Sequence, residues 1–151
     1  MEFKVPHAMK VEHDELHADL TKAIQSGGKT GAAAKEVAEA LHAHFESEEK
    51  YALPPLGLLP ALADGRITPE MAQVFKMTDM LKAELPRMLD EHQAIIAALK
   101  KMIEAAKQEK KMEHITFAEK LMLHAQNEEE VSYPTAILIG EYLKLKLGKK
   151  T

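Results

Sequence analysis

The pentapeptide HDELH, residues 13–17, sets two histidines four apart with acids between them. That spacing suits metal ligation, zinc-protease catalysis or a polar helix face. A zinc protease needs a glutamate directly after the first histidine as its general base, and here Asp14 stands in that place, one methylene short. Glu15 lies roughly a further 100° round a helix and faces elsewhere. The protease reading is therefore weak. Other histidines also have acids at chemically useful spacing. His44 and Glu48, like His124 and Glu128, form H-x-x-x-E pairs that put an imidazole and a carboxylate on one helical face a turn apart. Glu91-His92 repeats the order of Glu12-His13.

Composition narrows the chemistry. The chain of 151 residues has no cysteine, which removes disulfides, thiolate zinc sites, iron–sulfur clusters and thiol nucleophiles together. A metal would have to be held by His, Asp or Glu. A net charge of −4 and a pI near 6.1 argue against a nucleic-acid partner, and Lys144, Lys146, Lys149 and Lys150 read as helix-end charge. No apolar run approaches the ~18 residues of a membrane span and no signal segment opens the chain, so a cytoplasmic protein away from membranes is expected. Its length is that of one ordinary domain, 1–151.

Nine methionines, many alanines, few aromatics and no alternating pattern predict an all-α fold. Met9, His13, Leu16, Leu20 and Ala23 make the inward stripe of a first helix, 7–25, which Ser26-Gly27-Gly28 ends. A second helix, from about 32 to 51, carries Val37, Leu41, His44, Glu48 and Tyr51. Residues 52–67, rich in proline and leucine, read as a packed crossover. Thr68-Pro69 opens a helix expected to reach about 107 with a kink near Pro86 and a stripe of Leu85, Leu89, His92, Ile96, Leu99 and Ile103. The last long helix presents Phe117, Leu121, His124, Glu128 and Val131. Pro134 interrupts it, and the apolar stretch AILIGEYLKLKL forms a short C-terminal helical extension.

A shift of eighty residues lays LHAHFESEEKYALP (41–54) on LMLHAQNEEEVSYP (121–134), and a shift of 79 lays Glu12-His13 on Glu91-His92. The chain reads as two pseudo-repeated helical hairpins, about 7–54 and 86–134. His13 and His44 are equidistant from the Gly-Gly turn, as His92 and His124 are from the turn at 107–111. Each lies about sixteen residues out, or roughly 24 Å along a helix. All four therefore share one level of an up-down four-helix bundle, where Glu48 and Glu128 join them. Core histidines satisfied by neighbouring acids are the plainer reading. Six polar groups at one depth argue against it, because two buried glutamates repel each other and call for a cation. A pair of metal ions bridged by Glu48 and Glu128 is the natural occupant.

With Glu12-His13, HFESEE (44–49), Glu91-His92 and HAQNEEEVSYP (124–134), the sequence resembles a hemerythrin-like, HHE cation-binding domain over nearly its whole length. The resemblance implies a non-haem centre of two iron ions in the bundle, with His13, His44, Glu48, His92, His124 and Glu128 as ligands. It further implies binding of dioxygen or a similar diatomic ligand, sensing of iron or oxygen, or handling of peroxide or nitric oxide. Oxygen-carrying members place a fifth histidine one turn after the third-helix histidine, where this chain has Ile96; one turn after His13, however, lies His17. By the pseudo-symmetry, His17 is expected to be the fifth histidine ligand. The alternative is a helix-face histidine paired with acids.

The iron near His92 and His124 would then keep an open position beside Ile96. Tyr51 is either a hydroxyl reaching the site or a core aromatic. His7, His42 and His114 read as surface residues, and Glu49, Glu129 and Glu130 as solvated. Glu12, Glu91 and Asp14 are candidate acceptors for imidazole N–H groups. Imidazoles with an ordinary pKa near ~6.5 imply metal binding that weakens below about pH 6. Dioxygen binding, storage or sensing is the leading function. A di-iron oxidase or peroxidase, or an iron store or sensor working through a partner, are the alternatives, and E-x-x-H, the pair used by ferritin-like oxidases, occurs only at Glu39/His42.

Overall fold

Two tight turns at one end of the molecule set its architecture. In the computed structural model, which describes residues 2–148, α1 (His7–Gln25) and α2 (Gly28–Ser47) are joined through Gly27 and Gly28, whose φ angles of 70° and 63° lie in the left-handed region glycine takes without strain. α2 starts earlier than its sequence suggests because Glu109, from a different turn, caps it. The carboxylate accepts the backbone N–H of Lys29 at 3.0 Å and of Thr30 at 2.9 Å, and the Thr30 hydroxyl at 2.6 Å. Those bonds, the Thr30 hydroxyl foremost, hold Glu109 down at about 2. Lys111 adds an ammonium donating to the carbonyls of Ser26 (3.0 Å) and Gly27 (3.1 Å). One turn is thus fastened to the other, which fixes the relative height of the two helix pairs.

Three short helical pieces cross the far end: a turn at Pro54–Leu58, α3 (Leu59–Ala63) and a turn at Pro69–Val74. Pro54, Pro55, Leu56 and Leu58 are buried, so the crossover is packed, as its composition suggests. α4 (Phe75–Gln108) follows and runs unbroken through Pro86; Thr68-Pro69 opens only the tight turn before it. α5 (Met112–Asn127) and α6 (Tyr133–Leu147) complete the chain. Every regular element among the described residues is helical. α1 packs on α2 and α5, and α4 on α2 and α5, which closes the four long helices into a ring. No helix among the described residues is long and apolar enough to cross a membrane.

α2 and α5 each end in one widened turn, Glu48–Ala52 and Glu128–Ser132. There the N–H of Leu53 bonds to the carbonyl of Glu48 at 2.8 Å, and that of Tyr133 to the carbonyl of Glu128, five residues back. A proline follows each time. Pro54 and Pro134 lack an N–H, and a proline ring presses on the carbonyl four residues earlier, so the helix widens ahead of it. The extra residue changes the phase: Val131, expected inside, is 53 % exposed, whereas Ser132 and Tyr133 are buried.

α6 lies close along α4. A Cβ on Gly140 would overlap the Thr78 side chain, and Lys144 is buried in an ion pair with Asp79, so it is a packing residue and not free helix-end charge. Lys149 and Lys150 lie outside the described residues. Two apolar clusters fill the interior. One, toward the tight turns, includes Leu16, Leu41, Leu99 and Leu121; the other, toward the crossover, includes Leu53, Leu81, Met88 and Tyr133. A polar layer separates them. On α4 the inward stripe runs Met88, His92, Ile95, Leu99 and Met102, which leaves Leu89 and Ile96 half-buried on the flank.

Candidate metal centre

Each long helix sends one histidine into the polar layer, and the two widened turns send the glutamates. His13 (α1), His44 (α2), His92 (α4), Glu48 and Glu128 are all buried, at most 3 % exposed, and the His124 side chain (α5) is 9 % exposed. The layer divides into two groups, His13, His124, Glu48 and Glu128 on one side and His44, His92, Glu48 and Glu128 on the other. Both glutamates belong to both groups. Their Oε2 atoms face the first: His13 Nε2 is 3.3 Å from Glu48 Oε2 and 3.7 Å from Glu128 Oε2, and His124 Nε2 is 3.1 Å from Glu128 Oε2. Their Oε1 atoms face the second, with His44 Nε2 2.5 Å from Glu48 and His92 Nε2 3.3 Å from Glu128.

Ordinary core histidines would be hydrogen-bonded. Here His13 Nε2, His124 Nε2, Glu48 Oε2 and Glu128 Oε2 are buried without a hydrogen-bond partner among the described residues. Orphaned buried polar atoms are costly, and these four are the converging atoms of the first group. A cation satisfies all four. The buried His/Glu groups could therefore hold a metal ion, and the donor set of imidazole nitrogen and carboxylate oxygen, without sulfur, suits a first-row transition metal. No family model, curated protein or solved structure matches the chain. What the layer can hold is decided by its own atoms.

Electrostatics point the same way. Burial by itself would lower His13 and His92, but the nearby carboxylates of Glu128 and Glu48 outweigh it and raise both to about 10. His44 and His124 are raised on the same balance. Glu48, which burial would raise, is held well below the usual carboxylate range by His13, His44 and His92. The buried carboxylates thus favour positive charge beside them.

A second ring of acids orients the imidazoles. The Nδ1 of His44 meets Glu91 at 2.9 Å, that of His92 meets Glu129 at 3.0 Å, and that of His124 meets Glu12. Nδ1–H donation turns the Nε2 lone pair inward, the tautomer a metal ligand needs. Glu12 and Glu91 are the acceptors expected from sequence; Glu129 is an acceptor and not merely solvated. Asp14 is exposed and near Lys10, and Glu49 bonds Lys10 at 3.0 Å while standing 3.9 Å from His13 Nδ1.

His17 is not brought into the layer. Phe45 stands between: its ring stacks on His13 with centroids 4.6 Å apart and meets the edge of His17 at 4.8 Å, leaving His17 exposed. The gathered set holds four histidines, not five, and pairs them as His13 with His124 and His44 with His92. Ile96 does not wall the site either. It lines a surface groove with Leu123 and Glu129. A cleft of about 140 Å³ instead reaches His13, His124 and Glu128 past Met9, Leu53 and Asn127. His7 and His42 are exposed as expected, whereas His114 is buried at the start of α5.

Of the tyrosines, Tyr51 is the core aromatic. Its hydroxyl faces Met88 and accepts from Arg87 at 2.8 Å. The hydroxyl in the layer belongs to Tyr133, fully buried and 2.8 Å from Glu48 Oε1, 3.1 Å from His92 Nε2 and 3.2 Å from His44 Nε2. Burial and the charges of Glu48 and Glu128 push its phenol far upward. A proline six residues after each glutamate of the layer is the signal that could have found it, since the widened turn it induces brings the fifth residue inward.

Proposed function

We propose that this chain is a hemerythrin-like protein whose polar layer holds two iron ions bridged by Glu48 and Glu128 and binds dioxygen or a similar diatomic ligand. The observation that carries the reading is the pair of His₂Glu₂ groups sharing both carboxylates, one of them presenting four orphaned atoms. The two-hairpin reading draws support from the outer acids: Glu12 serves His124 as Glu91 serves His44, and the two glutamates open matching widened turns. Bound there, iron would supply the electron donation to dioxygen that no side chain provides. The chain's own part is to fix the imidazole tautomers through Glu12, Glu91 and Glu129, to keep bulk water from the His44/His92 side with Tyr133, and to admit a small ligand beside His13 and His124.

A di-iron oxidase or peroxidase is the second reading. The cleft favours it, because Glu12, Asn127 and Ser132 lie among its apolar walls and could deliver protons, which reversible binding avoids. Anaerobic iron titration followed by oxygen, read by elemental analysis and visible absorption, tests both. Two irons per chain and a spectrum that reverses on removing oxygen are expected. One iron or none overturns the di-iron reading, and sustained peroxide turnover favours the second.

A further inference from the structure

The two ends of the polar layer are chemically unequal. Five residues past Glu48 the widened turn delivers Leu53, which has no donor and borders the cleft beside His13 and His124; five past Glu128 the matching turn delivers Tyr133, whose hydroxyl enters the His44/His92 group. Nothing in the ligand set of the proposed function accounts for that hydroxyl.

Its distances are those of a ligand. Donors about 2.1 Å from an octahedral ion are separated from their neighbours by about 3.0 Å. The Tyr133 hydroxyl stands 2.8, 3.1 and 3.2 Å from three atoms that already converge, Glu48 Oε1, His92 Nε2 and His44 Nε2. Its position is fixed by what surrounds it. The ring is fully buried, lies 5.6 Å from the His92 ring at an interplanar angle of 30°, and starts a helix packed on α4 through the Gly140–Thr78 approach. A phenol held this way lies beside any ion bound between His44 and His92.

We infer that Tyr133 is a metal ligand, the fifth protein ligand of the ion held by His44, His92, Glu48 and Glu128. This rests on the di-iron reading above. On coordination the phenolic proton leaves to solvent and the oxygen binds as phenolate, since a cation at ligand distance reverses the effect that burial and nearby carboxylates have on a phenol. That ion then has five protein donors against four for the ion beside His13 and His124, and since the cleft reaches only the latter, an external ligand is expected there first.

The test uses the whole chain loaded with iron(II) without oxygen and oxidised with ferricyanide. Two irons per chain together with a visible phenolate-to-iron(III) charge-transfer band and phenolate ring modes in resonance Raman are expected. Tyr133→Phe should lose the band and the ring modes and hold one iron roughly ten- to a hundred-fold more loosely. The chain has three tyrosines, so a Tyr51→Phe, Tyr142→Phe double variant leaves Tyr133 alone and must keep both signatures even if Tyr133→Phe folds poorly. Two bound irons without a phenolate signature, or a signature that survives Tyr133→Phe, overturns the assignment while leaving the di-iron reading intact. Failure to bind iron at all overturns both.

Discussion

The Nδ1–H of His44 on α2 points at the carboxylate of Glu91 on α4, 2.9 Å away, while the other carboxylate oxygen is held by Arg87 at 2.8 Å. The acid is thus clamped from outside and aims the imidazole inward. Glu91→Ala should loosen metal at the His44/His92 side about 10–100-fold in chelator competition, the usual range for such orienting groups. Asp14→Ala, at an exposed position on α1, should leave affinity unchanged. Equal losses in the two variants would show that the effect is only one of net charge.

His17 and His124 separate the ligand set expected from sequence from the one the fold assembles. His17→Ala should leave two irons per chain, because Phe45 keeps that ring out of the layer. His124→Ala should lose one, because it removes an orphaned nitrogen directly. Elemental analysis after desalting distinguishes them, and loss of iron from His17→Ala would restore the five-histidine set.

The pH window of metal uptake lies higher than ordinary histidines would put it. His13 and His92 rise from 6.5 to about 10, so an incoming ion must displace protons throughout that interval, and apparent affinity should climb from pH 6.5 toward 10 instead of levelling near 6.5. In the chelator-treated chain the same groups act on stability. A histidine raised on folding stabilises fully below 6.5, and its contribution fades as pH climbs through about 10. Glu48, lowered on folding, contributes above the ordinary carboxylate range and ceases to as pH falls below it. Chemical denaturation across pH should show both flanks, and an alkaline flank ending near 7 would contradict the raised imidazoles.

Azide reports where a small ligand enters. If the cleft past Met9 and Leu53 is the route, Ala8→Trp at its edge should slow azide uptake by the iron-loaded protein several-fold, and Ile96→His should do nothing. Stopped-flow absorption measures both. Loss of azide binding in Ile96→His would put the open position back on α4.

Gly140 tests how firmly α6 seats Tyr133. Its Cβ would overlap Thr78, and overpacking of this kind costs about 1–3 kcal/mol. Gly140→Ala should lower Tm by several degrees. The double variant Gly140→Ala, Thr78→Ala removes the Oγ1 and Cγ2 overlaps but leaves the residue 78 Cβ 2.6 Å from the new carbon, so it should recover only part of that loss.

The parts of the site that could be read from sequence are those carried by regular helix. His13, His44, His92 and His124 sit where a 3.6-residue period meets the core, and equal distance from two turns put them at one height. Beyond Glu48 and Glu128 that period fails, because the proline-induced turns insert a residue, so Val131 turns outward and Tyr133 inward. Ile96 misled for a different reason. α4 is apolar over more than one stripe, and only contact with α2 and α5 selects Ile95 over its neighbour. The pairing of His13 with His124 could not be read at all, since spacing gives height and not which helices face one another.

That pairing has a kinetic corollary. His13 and His124 come from α1 and α5, and His44 and His92 from α2 and α4, so neither tight-turned helix pair owns a complete set of imidazoles for either ion. Each ion held there would be a rivet between the two pairs. Its residence time would then be governed by how often the pairs breathe apart, a motion restrained at the far end by Glu109 and Lys111, and loosening that end should hasten iron exchange from a distance of roughly 24 Å without touching the polar layer.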